Sequence, residues 1–229
     1  MSHSVSPQVP STDEDTRTRL LQAAGLVFAE KGFQRATVRE ICDAADVNIA
    51  GVNYHFGDKR RLYIEAVKRA HQLRTQRVPL PSWSENTSGE IKLRGFIRTL
   101  LTRMIASEEA PWQHRLMMQE ILHPTQACRE MVEDYIRPEF ELLLSILAEM
   151  MPENVPVARR HQFAFSVVGQ CLFYKIGSPV ARVLVDEDEF SEHFNVEQLA
   201  NHISDVCLAA LGVTSQFSDR EMSSQSNVT

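Results

Sequence analysis

Residues 37–59, TVREICDAADVNIAGVNYHFGDK, carry three helix-start signals in close succession, and that spacing restricts the fold more than any other feature. Thr37 is a good N-cap, and Glu40 three residues later completes a capping box, so a helix begins at Val38. Val38, Ile41, Cys42 and Ala45 then recur at three- and four-residue spacing and form an apolar face. Asp46, Val47 and Asn48 interrupt that face. Asn48 is a second cap, and Val47 before it is placed to staple against Val52. A second helix is therefore predicted over residues 49–56, with Val52 and Phe56 inward, Gly57 as its stop and Asp58 as the cap of a third. Two helices joined by so short a turn are a helix-turn-helix, whose second helix enters the DNA major groove.

The outward residues of that second helix suit the task. Ala50 and Gly51 carry almost no side chain, so backbone can approach base edges closely. Asn53, Tyr54 and His55 offer hydrogen bonds to bases or phosphate oxygens. Lys59, in the first turn of the next helix, joins a cation to free backbone N–H groups. The same periodicity also describes an ordinary helical hairpin with Tyr54 and His55 at its surface, so the pattern alone leaves both readings open.

Residues 16–67 closely resemble the DNA-binding domain of TetR-type transcriptional repressors. The shared features are an opening helix ending in FAEKGF, Thr37 as cap, the Ala45-Asp46-Val47 turn, Gly51, the Tyr54-His55-Phe56 triplet and Lys59. The resemblance implies that Thr37, Asn48, Tyr54, His55 and Lys59 hold phosphates while Ala50, Gly51 and Asn53 face the bases. Asn48 stands where the family often has serine, and Asn53 is a second departure; the operator sequence does not carry over.

Charge is distributed to match. The net charge of −6 divides into +6 over residues 17–77, −3 over residues 1–16 and −9 over residues 78–229. A basic head on an acidic body is the electrostatic footprint of a nucleic-acid reader. No apolar run reaches the length of a membrane span and the polar N-terminus lacks a signal h-region, so a cytoplasmic location and no membrane partner are expected. Cys42, Cys128, Cys171 and Cys207 are widely spaced and fall on predicted apolar faces, which reads as reduced core thiols. No metal-ligand spacing or cofactor motif occurs, so neither metal nor cofactor is expected.

The expected fold is all-α: an N-terminal three-helix helix-turn-helix domain plus a larger C-terminal helical ligand-binding and dimerisation domain. Residues 1–15 and 213–229 read as disordered tails. The head with its connecting helix spans 16–77, where Gly32 closes the first helix and Arg17 and Arg19 sit unfavourably at its start. Two solvated arginines and two phosphate contacts are both open readings. Pro79, Pro81 and Gly89 mark a boundary, and the body spans 78–212. Within it Pro111 opens a helix closed by Pro124, and Thr125 caps a long helix kinked before Pro138. One helix covers FAFSVVGQCLFYKIGSPVARVL, the acidic DEDEFSEH is a loop, and the last helix ends at Gly212.

The body resembles the C-terminal domain of the CecR-like branch of TetR-type regulators, through LMMQEILHPTQACREMVEDYIRPEFELLLSIL and FSVVGQCLFYKIGSPVARVL. That resemblance implies a homodimer built on the last two helices and a small-molecule effector pocket among the middle ones. Independently, residues 163–174 are apolar nearly all round, so this helix needs burial on more than one side, by a partner or by a monomer core. Phe163, Ser166 and Gly169, with Gln198, His202 and Val206 of the last helix, are the candidate dimer interface. For the effector pocket, Trp112, Met117, Met118, Phe173 and Tyr174 are candidate walls, and Glu120, His123 and Gln170 candidate polar contacts. Glu120 and His123 also fit a plain structural pair.

The function expected is a ligand-responsive repressor that binds a palindromic double-stranded DNA operator as a homodimer and is not an enzyme. Two other classes remain: a helical sensor acting through protein contacts, which the +6 head disfavours, and a small hydrolase, for which no nucleophile or supporting motif is present.

Overall fold

The computed structural model describes residues 13–105 and 111–213, and among them every regular element is helical. In chain order these are α1 (Asp13–Arg35), α2 (Val38–Ala45), α3 (Ile49–Phe56), α4 (Lys59–Arg77), α5 (Gly89–Ile105), α6 (Pro111–Leu122) and α7 (Gln126–Met131). A π-helical turn (Val132–Ile136) follows, then α8 (Arg137–Ala148), α9 (Val157–Ile176), α10 (Ser178–Val185), α11 (Glu187–His193) and α12 (Val196–Ala210). The expected tails fall largely outside the described residues, at 1–12 and 214–229. Val213 and residues 13–15 are the exceptions, and 13–15 are helical, because Asp13, Glu14 and Asp15 place three carboxylates on the N-terminal end of the α1 dipole.

The chain forms two compact units. The first runs to Arg74 and takes in the later segment through Tyr135 that carries α6 and α7; the second contains the rest. The division therefore differs from a single boundary after residue 77. The chain leaves the first unit within α4, returns for α6 and α7, and leaves again at the π-helical turn.

In the first unit α1 packs its buried Leu20, Leu21, Ala24 and Phe28 against α2, α3 and α6. Gly32 interrupts α1 with φ 74°, where a side chain would be strained, and one further turn follows it. The start of α1 explains its arginines. Arg17 pairs with Glu65 of α4 at 3.1 Å and lies over the Phe56 ring, while Arg19 donates to the carbonyl of Ala45 at 3.1 Å, capping the C-terminus of α2. Both have protein partners.

The second unit is a separate core. Leu93, Phe96, Ile97 and Leu101 of α5 meet Leu143, Ile146 and Leu147 of α8, Ala164, Val167 and Cys171 of α9, and Leu199, Ile203 and Leu208 of α12. Arg103 of α5, 3% exposed, pairs with Glu139 at 2.7 Å and donates to the Val78 carbonyl at 2.6 Å, so its buried charge is partnered. Three local expectations change here. The break before Pro138 is a π-helical turn followed by a new helix with Pro138 in its first turn, where a missing N–H costs nothing. The stretch expected as one helix divides at Gly177 into α9 and α10. DEDEFSEH is helix rather than loop, because Asp186 caps it through a 2.9 Å bond from the Glu189 N–H and its acids occupy the first turn.

Candidate DNA interface and ligand-lining residues

Both caps of the reading head form. The Glu40 N–H donates to the Thr37 hydroxyl at 3.2 Å, and the Thr37 N–H donates back to the Glu40 carboxylate at 3.0 Å. Lys31 adds a 2.6 Å ion pair to Glu40. That contact, with the bonds from Thr37, holds the Glu40 carboxyl at about 2, well below its usual range. Asp46 ends α2 in the left-handed region (φ 52°), and the Ala50 N–H donates to Asn48 Oδ1 at 3.0 Å to start α3. An added Cβ on Gly51 would stand 2.7 Å from Val47 Cγ1. The missing side chain of Gly51 thus lets α3 close onto the turn, a packing role beyond the approach to bases expected of it.

The DNA-facing candidates divide into two groups. Asn53 and Tyr54 are exposed, Tyr54 at 76%, and Thr37, Asn48 and Ala50 are exposed with them. Thr37 and Asn48 each spend an oxygen on capping, which leaves Asn48 its amide NH2 for a phosphate oxygen. His55 and Lys59 are more constrained. The His55 side chain is 7% exposed, set edge-on to Tyr54 and 3.6 Å from the Asp13 carboxylate. Lys59 lies over the Phe33 ring at 4.7 Å and reaches the Gln34 carbonyl at 3.4 Å. His55 is therefore covered by α1 rather than presented beside Tyr54, since α1 begins earlier than expected. Two exposed residues escaped notice in the sequence: Ile49, the first residue of α3, and Arg39 on α2. Both follow directly from the helix starts.

The eight candidate pocket residues are divided between the two units. Trp112, Met117, Met118, Glu120 and His123 belong to the first unit and Gln170, Phe173 and Tyr174 to the second. Trp112 is seated on α1, where a Cβ added to Gly25 would lie 2.3 Å from its indole. Met117 is buried, Met118 half-buried and His123 exposed. Glu120 is fully buried and does not pair with His123; it accepts from the Tyr63 hydroxyl and from the Thr125 N–H at 3.1 Å and hydroxyl at 3.0 Å. Thr125 in turn caps α7. Trp112 and His123 line different clefts. In the second unit Gln170 donates to the Ser166 carbonyl and to Cys207 Sγ at 3.5 Å, and Phe173 meets Tyr174 edge-on.

The candidate interface residues lie on α9 and α12. Ser166, Gly169, Gln198, His202 and Val206 are exposed and Phe163 is half-buried. α9 buries Ala164, Val167 and Cys171, yet Phe165, Phe173 and Ile176 remain exposed at 63%, 52% and 47%. All four cysteines are free, and burial raises their thiols, Cys171 to about 12, which disfavours the thiolate. Among the described residues no group of His, Cys, Asp and Glu is placed to hold a metal ion, and no helix is long and apolar enough to cross a membrane.

A capped α2–turn–α3 unit with polar side chains exposed on α3 defines a helix-turn-helix transcriptional regulator. More particularly, the chain belongs to the TetR family of bacterial regulatory proteins, whose N-terminal domain matches residues 20–66, and residues 90–211 match the C-terminal domain of the HTH-type transcriptional dual regulator CecR. It is similar to two Shigella flexneri proteins: CecR itself, 25% identical over 183 residues (75% of this chain, 81% of the relative), and the HTH-type transcriptional regulator AcrR, 25% identical over 167 residues (64% and 71%). Its fold is shared with a TetR-like transcriptional regulator from Rhodococcus sp. RHA1, at TM-score 0.61 and 17% identity, covering 90% of this chain and all of that one. These relatives are regulators of transcription, not enzymes.

Proposed function

We propose that two copies of the chain bind a palindromic operator as a homodimer in the cytoplasm, repress transcription, and release DNA when a small-molecule effector is bound. The observation that carries this reading is the exposed α3, held at both ends by caps, in a stretch of chain (residues 17–77) whose charge is +6. One head reads a few base pairs; a two-fold pair reads half-sites about 34–36 Å apart. The exposed apolar residues of α9 support self-association, because Phe165, Phe173 and Ile176 leave apolar surface in water. Relatives of the head are named repressors in Mycolicibacterium smegmatis and Rhodococcus jostii, while CecR is named a dual regulator. An effector that releases DNA must favour a body conformation whose heads no longer match the half-site spacing, by several kcal/mol.

The test is footprinting on DNA flanking the protein's own gene, followed by gel-shift titration of the protected fragment at two salt concentrations. Tyr54→Ala is expected to weaken binding about tenfold or more, a phosphate or base contact being worth ~1–3 kcal/mol. Salt-insensitive association, or Tyr54→Ala binding like the parent, would favour a sensor that works through protein contacts.

A further inference from the structure

We propose that a cleft of about 870 Å³ inside the first unit, between α1, α4, α6 and the π-helical turn, binds a planar aromatic carboxylate. Its volume is that of a site for a drug-sized ligand. Leu21, Leu73, Trp112 and Tyr135 supply the apolar walls. The two aromatics are held rather than loose. Trp112 rests directly on Gly25, and Tyr135 is stacked on His71 at 4.8 Å while its hydroxyl accepts from Gln72 at 3.0 Å. Pre-positioned rings favour a flat ligand, because little side-chain entropy is lost when it enters.

The charged lining is balanced, three cations against three acids, so the unpaired groups decide. Three cations line the cleft, and two are occupied: Arg17 by Glu65 at 3.1 Å, and Lys68 by Glu130 at 2.9 Å and Asp134 at 2.8 Å. Arg69 is exposed and has no carboxylate partner among the described residues. Of the acids, Glu65 is neutralised by Arg17, Asp13 stands beside His55, and Glu14 lies in the exposed first turn of α1. Arg69 is thus the open cation, and its planar fork matches a carboxylate in two hydrogen bonds; Glu14 is the open acid, against which an ammonium ligand is the control. Gln113 of α6 adds an amide to the lining.

Binding there would press on the α1–α4 contact made by Arg17 and Glu65, next to the helix that supports α3. That consequence for DNA, though not the binding itself, rests on the regulator reading above. The chain has two tryptophans, so Trp83→Phe leaves Trp112 as the sole reporter. In the full chain, 4-nitrobenzoate is expected to quench Trp112 saturably, with nitrobenzene and 4-nitrobenzylammonium binding at least tenfold more weakly. Arg69→Ala and Arg69→Gln, both at an exposed position, should raise the 4-nitrobenzoate Kd at least tenfold without changing the denaturation midpoint. Linear, unsaturable quenching, an unchanged Kd in both Arg69 variants, or tighter binding of the ammonium compound would overturn the site. A gel shift with the same compound separates the two ideas. Saturable quenching with unchanged DNA affinity upholds the cleft and removes its regulatory role, while DNA release without Arg69-dependent quenching overturns the cleft and leaves the regulator.

Discussion

The hydroxyl of Tyr63 on α4 donates to the buried carboxylate of Glu120 on α6, and the turn that follows α6 closes the same carboxylate from its other side through Thr125. Burial and this bond both raise the phenol above its ordinary pKa, so it remains a donor at every working pH. The contact makes α6 and α7 part of the reading head's own packing, beside the Phe28–Tyr63 ring pair at 4.8 Å. Tyr63→Phe keeps the ring and removes one donor from a carboxylate with no exposure. It is expected to lower stability by about 1–3 kcal/mol, the cost of an under-satisfied buried acceptor. Urea denaturation followed by circular dichroism measures it, and an unchanged midpoint would show that the pair is not under tension from desolvation.

Gly51 and Val47 offer a test with a built-in rescue. A methyl on Gly51 must push Val47 Cγ1 from 2.7 Å, in the short turn between α2 and α3. Helix propensity alone would make Gly51→Ala stabilising by about 0.5–1 kcal/mol. Overpacking is expected to reverse that sign, costing roughly 1–3 kcal/mol and weakening operator binding through a shifted α3. Val47→Ala in the same chain removes the obstructing methyl and should restore part of both. If the double variant is worse than the sum of the two single ones, the contact is not the cause.

What the sequence made legible follows from separation along the chain. The caps of α2 and α3 lie within three residues of the N–H groups they serve, so Thr37, Glu40 and Asn48 could be read directly. The seat of Trp112 on Gly25 and the Tyr63–Glu120 bond join positions far apart in sequence, and no periodicity reports which helix an apolar face meets. For that reason α6 and α7 were expected in the body. The same gap hides the partners of Glu120 and Gln170, since a polar side chain on an apolar helix marks a need for a partner without naming one. α11 was hidden for another reason: its carboxylates read as a solvated loop, although acids after a capping Asp186 are also a helix start.

Glu40 gives a prediction in pH. Its carboxyl falls from an ordinary 4.5 to about 2, first through the hydrogen bond from Lys31, then through Thr37. A depressed folded-state value stabilises the fold above the unfolded pKa and loses that effect as pH falls through the folded one. The difference in urea midpoint between the parent and Glu40→Gln should therefore be steady near neutrality and shrink between about pH 4.5 and pH 2. High salt should narrow it as well, because the pair is open to solvent. A difference independent of pH would assign the effect to capping geometry rather than charge.

Gly169 separates the dimer from the monomer more cleanly than any apolar residue near it. A Cβ added there meets nothing within 4 Å, so the isolated chain has room for a larger side chain. Within a helix, replacing glycine even favours folding by roughly 0.5–1 kcal/mol. If two copies of α9 meet across Gly169, a charged side chain there is buried without a partner at the closest approach of the helices. Gly169→Glu is thus expected to retain helicity and thermal unfolding of the monomer, to sediment as a monomer at concentrations where the parent is a dimer, and to lose operator binding. A variant that still sediments as a dimer places the contact elsewhere, and the exposed Val180, Val183 and Leu184 of α10, at 62%, 83% and 76%, are the next surface to substitute.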